Sequence, residues 1–192
     1  MKRWIMVIAL MLCICSYEAQ AQRALKGMRA LELRAGMVDG IYSHDTHDAG
    51  FSFGIAMSRY ANNANKWVFG AEYLRRNYPY EATHVPMAQF TAEGGYCYKF
   101  LSDASKTLFC YVGGSAVAGY ETVNWGDNLL YDGARLQNRD RALYGGAATL
   151  QLEAHLCERI VMSIYARERV LWGTTTGHLH TQYGLSLSFI ID

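Results

Sequence analysis

From residue 28 onwards, apolar and polar side chains alternate with a period of two in eight stretches. That period is the mark of a strand with two unlike faces. Met28 to Met37 sets Leu31, Leu33, Ala35 and Met37 against Ala30, Glu32, Arg34 and Gly36, and Ala49 to Tyr60 sets Phe51, Phe53, Ile55 and Met57 against Ser52, Gly54, Ala56 and Ser58. Lys66 to Arg76 opposes Trp67, Phe69, Ala71 and Tyr73 to Val68, Gly70 and Glu72. Met87 to Phe100 opposes Phe90, Ala92, Tyr96, Tyr98 and Phe100 to Gln89, Thr91, Glu93 and Lys99. The fifth stretch, Thr107 to Tyr120, leaves its facing open: Leu108, Val112, Ala116, Ala118 and Tyr120 share one parity, but Phe109, Tyr111 and Val117 share the other. In Ala142 to Ala154, Tyr144, Ala148, Leu150 and Leu152 alternate with Thr149, Gln151 and Glu153. Ile160 to Trp172 sets Ile160, Met162, Ile164 and Val170 against Ser163, Tyr165, Arg167 and Arg169. Gln182 to Ile191 sets Tyr183, Leu185, Leu187 and Phe189 against Gly184, Ser186 and Ser188.

The connections alternate in length. Short polar turns, 62–65, 102–105 and 157–159, follow the even stretches, and longer loops, 38–48, 77–86, 121–141 and 173–181, follow the odd ones. Short turns at one end and long loops at the other are the habit of outer-membrane barrels, whose strands need about 9–11 residues to cross. Both prolines, Pro79 and Pro86, fall in the second long loop, where no ladder hydrogen bond is lost. A soluble up-and-down barrel would need the opposite facing, aliphatics in and charges out. Gly, Ser and Ala with isolated charges fill one face, and aromatics gather at strand ends, which favours the membrane version. The expected fold is therefore all-β: an eight-stranded antiparallel up-and-down barrel of outer-membrane type.

Composition agrees, with 14 Tyr, 7 Phe, 4 Trp and 18 Gly but 2 Pro. The N-terminus adds the compartment. Lys2 and Arg3 precede an apolar run, Trp4 to Cys15, and the small-x-small site Ala19-Gln20-Ala21. That is a secretory signal peptide, too short to span a bilayer, with cleavage expected between Ala21 and Gln22. Leu12 and Ile14, where a small residue is needed, disfavour lipidation at Cys13 or Cys15. Residues 1–21 are read as the signal and 22–192 as one barrel domain in the outer membrane. Removing the signal takes two of 18 basic residues and one of 17 acidic ones, leaving sixteen of each. A balanced chain lacks the basic footprint of nucleic-acid binding. Cys97, Cys110 and Cys157 are too few and too widely spaced for a disulfide framework or a zinc site. Cys97 and Cys110 flank one turn, so a cross-strand contact is open, but both suit an apolar wall.

With the apolar face to lipid, Glu32, Arg34, Glu72, Glu93, Gln151, Glu153, Arg167 and Arg169 point inward. Eight strands enclose an interior just wide enough for side chains, so these charges must pair into a structural polar network. A diffusion pore would need more strands. The histidines His44, His47, His84, His178 and His180 lie in the long loops, where a His–Asp acid/base site or a metal site could assemble, but no nucleophile motif or ligand spacing accompanies them. The third loop mixes Trp125, Leu129, Leu130, Tyr131 and Asp132 with polar residues, and both a self-packed loop and a partner-binding one remain open.

Several stretches together resemble one family: Thr91-Ala92-Glu93-Gly94-Gly95-Tyr96, the run Ala118 to Gly126, Tyr131-Asp132-Gly133-Ala134, Tyr144-Gly145-Gly146 and His180-Thr181-Gln182-Tyr183-Gly184. They are similar to the TraO conjugal transfer proteins of conjugative transposons, along the whole mature chain and in order. The resemblance implies an envelope part of a mating apparatus that moves DNA between cells, with other transfer proteins and outer-membrane lipid as partners. It implies no enzymatic activity and supplies no catalytic residues, and no cofactor, small-molecule substrate or direct nucleic-acid contact is expected. Two other readings are an outer-membrane enzyme using loop histidines and a soluble periplasmic barrel that binds an apolar ligand.

Overall fold

A computed structural model describes residues 25–39, 50–80, 83–126, 140–174 and 177–191. Eight strands follow one another: β1 (Arg29–Val38), β2 (Gly50–Tyr60), β3 (Lys66–Tyr80), β4 (Thr83–Ser102), β5 (Leu108–Val123), β6 (Arg141–His155), β7 (Ile160–Trp172) and β8 (Leu179–Ile191). Each pairs antiparallel with its neighbours, and β1 pairs with β8, so the sheet closes. Stepping along partners from Arg29 through Arg59, Trp67, Tyr96, Gly114, Ala148, Glu168 and Thr181, the path returns to β1 beside Asp39. The stagger is ten residues, from 29 to 39, and such a stagger tilts the strands roughly 35–45° from the barrel axis.

The wall is apolar outward. Phe53, Phe69, Leu150, Ile164 and Leu185 are more than half exposed, while Glu32, Ser52, Gln151 and Ser188 on the other parity are buried. Water-soluble monomers rarely leave so broad an aliphatic belt uncovered. An aromatic ring marks the loop end, with Tyr73 against Phe90 (5.1 Å between centroids) and Tyr144 against Trp172 (6.2 Å).

The fifth strand settles its facing. Phe109, Tyr111 and Val117 are buried in the lumen, and Leu108, Val112 and Tyr120 face outward. In β4 a bulge between Lys99 and Leu101 turns two consecutive apolar residues, Phe100 and Leu101, out of the barrel. Cys97 lies inside against Phe109 and Tyr111, and Cys110, on the alternate parity, is half-buried in the wall. Both are free thiols, as is Cys157.

The second loop is a correction. Residues 77–86 are not a long loop: β3 and β4 continue as a paired ribbon to Tyr80↔Thr83. Beyond Arg75 the ribbon has no β2 partner, and before Met87 it has no β5 partner. Among the described residues Pro79 and Pro86 thus sit where the ribbon has no outer neighbour, and such an edge tolerates a missing amide.

The turns at the other end are held locally. In the β4–β5 turn, Asp103 Oδ1 accepts the amides of Thr107 (2.8 Å) and Leu108 (3.0 Å), and Lys106 takes a positive φ of 57°. Those amide contacts, Leu108 first, hold the exposed Asp103 carboxyl below its ordinary range. In the β2–β3 turn, Asn63 adopts φ 60°, a left-handed conformation that Asn tolerates.

The charged lumen as candidate functional site

Inward-facing positions on seven of the eight strands bring one polar network together. Arg34 on β1 donates from Nε to Glu32 (3.0 Å) and from a terminal nitrogen to Glu93 on β4. Arg167 on β7 reaches the same Glu93 (3.1 Å) and also Glu72 on β3 (3.5 Å). Arg169, two residues on, donates to Glu72 (3.0 Å) and to the Thr91 hydroxyl (3.2 Å). Gln182 on β8 completes this level, donating to Glu72 (3.1 Å) and Ser52 (2.6 Å). Nearer the turn end, Lys66 pairs with Glu153 and donates to Gln151 (3.2 Å), whose own amide reaches Glu32 (3.4 Å). Lys66 also lies 4.7 Å from the centre of the Tyr111 ring.

Glu32, Arg34, Glu72, Glu93, Gln151, Glu153, Arg167 and Arg169 all lie in this one network. Lys66, Thr91, Gln182 and Ser52 join them. Lys66 is the cation that the sequence reading passed over, although it shares the even parity of Val68, Gly70 and Glu72. Counting it, four cations (Arg34, Lys66, Arg167, Arg169) face four carboxylates (Glu32, Glu72, Glu93, Glu153). A neutral sum is what a low-dielectric lumen requires, since each unpaired ion there would cost several kcal/mol.

Apolar clusters close the network on both sides. Tyr60, Ala30, Val161 and Ile190 fill the turn end, Val117, Leu143, Ala147 and Leu171 lie above the charges, and Val38, Leu74 and Met87 lie at the loop end. The cavity between Arg34, Glu93, Thr149, Gln151 and Arg167 is about 20 Å³, room for one water. The arrangement can lock side chains in place. Among the described residues the space at this network offers no room for a solute.

At the loop rim, Asp39 collects a second set of contacts. Arg76 donates to its Oδ2 (2.7 Å), the Thr181 amide to its Oδ1 (3.0 Å), and His180 Nδ1 lies 3.0 Å from Oδ2. Burial pushes this carboxyl up, but the contacts from His180, Thr181 and Arg76 outweigh it and hold Asp39 below its ordinary value. His180 and Asp39 are spaced like an acid/base dyad. The free nitrogen such a dyad would use, His180 Nε2, instead faces the Gly177 carbonyl at 3.2 Å. His178 Nδ1 faces the Leu171 carbonyl at 3.0 Å. His44 and His47 lie outside the described residues, and His84 stands in β4. Among the described residues no three His, Cys, Asp or Glu side chains gather as a metal site. Trp125 is exposed in a short 3-10 turn after β5, whereas Leu129, Leu130, Tyr131 and Asp132, like Ala19, Ala21 and Gln22, lie outside the described residues.

A closed eight-stranded barrel with a filled lumen is a common envelope scaffold, so the family decides more than the fold. Residues 25–191 match the family described as conjugative transposon protein TraO. The chain belongs to the TraO family. No curated protein matches it. Among solved structures it is similar to Ail, the attachment invasion locus protein of Yersinia pestis, in complex with the heparin analogue sucrose octasulfate. That match has a TM-score of 0.59 and 12% identity over 87% of this chain and 100% of that one. It is also similar to Neisserial surface protein A, with a TM-score of 0.55 and 14% identity over 85% of this chain and 97% of that one. At such identities the likeness is one of fold: this TraO chain has the architecture of outer-membrane barrels.

Proposed function

We propose that this TraO chain is a non-enzymatic outer-membrane component of a conjugative transfer apparatus, a closed barrel that anchors and displays contact surfaces. After cleavage of residues 1–21, the barrel sits in the outer membrane with its short turns in the periplasm and its long loops outside. Family membership over residues 25–191 carries the assignment to conjugation. The filled lumen, whose central network pairs four cations with four carboxylates, supports an anchor over a channel, because no solute fits the cavity of about 20 Å³ at that network. Its partners are then lipid and other transfer proteins. Nucleic acid and small-molecule substrates are not among the partners this reading expects.

The test is transfer frequency from a donor lacking the gene. Transfer should be lost and should return with the wild-type chain supplied in trans. It should also return with a chain in which His44, His47 and His178 are replaced by Ala. A deletion donor that still transfers normally would overturn the role, and loss of transfer in a correctly folded histidine variant would favour an enzyme.

A further inference from the structure

Among the described residues the apolar belt contains one acid. Glu168 lies on the outward parity of β7, between Ala166 and Val170, and four residues below Trp172 in the aromatic ring. Four strand residues at this tilt set it about 10 Å beneath Trp172, within the apolar belt. The Thr181 hydroxyl, also on the outer face, donates to one carboxylate oxygen at 2.6 Å. Among the described residues Glu168 has no ion-pair partner. A carboxylate facing lipid is unfavourable and marks a functional position when it persists.

Its surroundings are shaped to receive something. A groove of about 300 Å³ opens over Ala148 and Ala166, walled by Val112, Leu150 and Tyr183, with Glu168 at its side. A larger groove over Ala71, Ala92 and Ala118 presents no charge to the membrane, so acyl chains cover it without penalty. At the depth of Glu168 an acyl chain has no donor to offer. Nor, among the described residues, does a second copy bring a cation there: copies related by rotation about the membrane normal keep each residue at its own depth. The outward cations Arg29 and Arg59 stand at the turn end and Arg75 at the loop rim.

We propose that the β6–β7–β8 wall around Glu168 is an intramembrane docking site for a different membrane protein, one that inserts a lysine or arginine side chain into the Ala148–Ala166 groove. This deepens the reading of the chain as an envelope component of the transfer apparatus and rests on it for the partner's origin. The test places a photo-crosslinking amino acid at Ala166 in donors carrying the whole transfer system, with Ile55 on the far wall as control. A protein adduct is expected at 166 and not at 55. Glu168→Leu should weaken it about tenfold or more, equivalent to 1.4 kcal/mol or more. Glu168→Gln, which keeps the shape and a contact to Thr181, should weaken it as well. Replacing a membrane-depth Lys or Arg of the captured protein by Leu should give the same loss. Both Glu168 variants should still show the folded barrel band, and Glu168→Leu should be at least as stable as wild type. Adducts with lipid alone, a self-adduct, or a protein adduct unchanged by Glu168→Leu would each overturn the proposal. Because the adduct is read independently of transfer, a deletion donor that transfers normally removes the conjugative role alone. A missing adduct in cells whose deletion abolishes transfer removes the docking site alone.

Discussion

Lys66 and Glu153 allow the logic of the lumen to be measured. Both are 1% exposed and they pair directly, with Glu153 Oε2 left without a further partner. Lys66→Met removes the cation and leaves a carboxylate sealed among Tyr60, Phe109 and Tyr111. Breaking a buried pair from one side destabilises by about 3–5 kcal/mol. Protonation sets an independent ceiling: converting an ordinary carboxylate, near 4.3, to its neutral acid at pH 7 costs about 1.36 × 2.7, roughly 3.7 kcal/mol. The two estimates agree, so the expected loss is about 3–4 kcal/mol. Replacing both residues, Lys66→Met with Glu153→Leu, removes the ions together and should fall within about 1 kcal/mol of wild type. The assay is urea unfolding from lipid vesicles, followed by tryptophan fluorescence. A Lys66→Met variant within about 1 kcal/mol of wild type at pH 7, or a double variant worse than either single one, would refute the closed, low-dielectric lumen.

Other outcomes follow from the same structure. Ile55→Arg, in the middle of the lipid-facing wall, should cost about 2–4 kcal/mol in the vesicle assay, whereas a barrel with its core facing inward would accept it. A side chain at Gly184 would meet the Tyr165 hydroxyl at 2.4 Å and the Ala35 carbonyl at 2.5 Å, so Gly184→Val should lose about 1–3 kcal/mol by the same measurement. The Asp39 contacts at the loop rim stabilise the ionised carboxylate, so they are present above its ordinary value near 3.8 and are lost as pH falls through its depressed value. Asp39→Asn should therefore speed amide hydrogen exchange at Thr181 at neutral pH and change it little in strong acid.

The alternation along β1, β2, β3, β6, β7 and β8 was readable because each opposes large apolar residues to small or charged ones. Nothing in β5 said which face was which. Its lumen side carries Phe109, Tyr111 and Val117 because the apolar packing beside the charges needs them, and only the register with β4 and β6 settles the orientation. The β3–β4 ribbon was missed for a physical reason: Pro79 and Pro86 suggest a loop unless the strands are known to run past the barrel rim. Lys66, Thr91 and Gln182 carried a usable signal, the parity of their strand-mates, and parity alone placed them inside. Asp39, Arg76 and His180 carried none, since their meeting depends on the ten-residue stagger that brings the top of β1 beside the start of β8. Glu168 was legible as a charge within an outward series, but its meaning depends on depth.

The central claim is that the aliphatic face of these eight strands meets lipid and the charged face does not. Fractionation of cells expressing the chain, followed by electrophoresis of the detergent-extracted outer membrane with and without boiling, tests it most directly. The account requires the chain in the outer-membrane fraction and a folded band that shifts on boiling. A soluble periplasmic chain, or one whose migration ignores boiling, would contradict it.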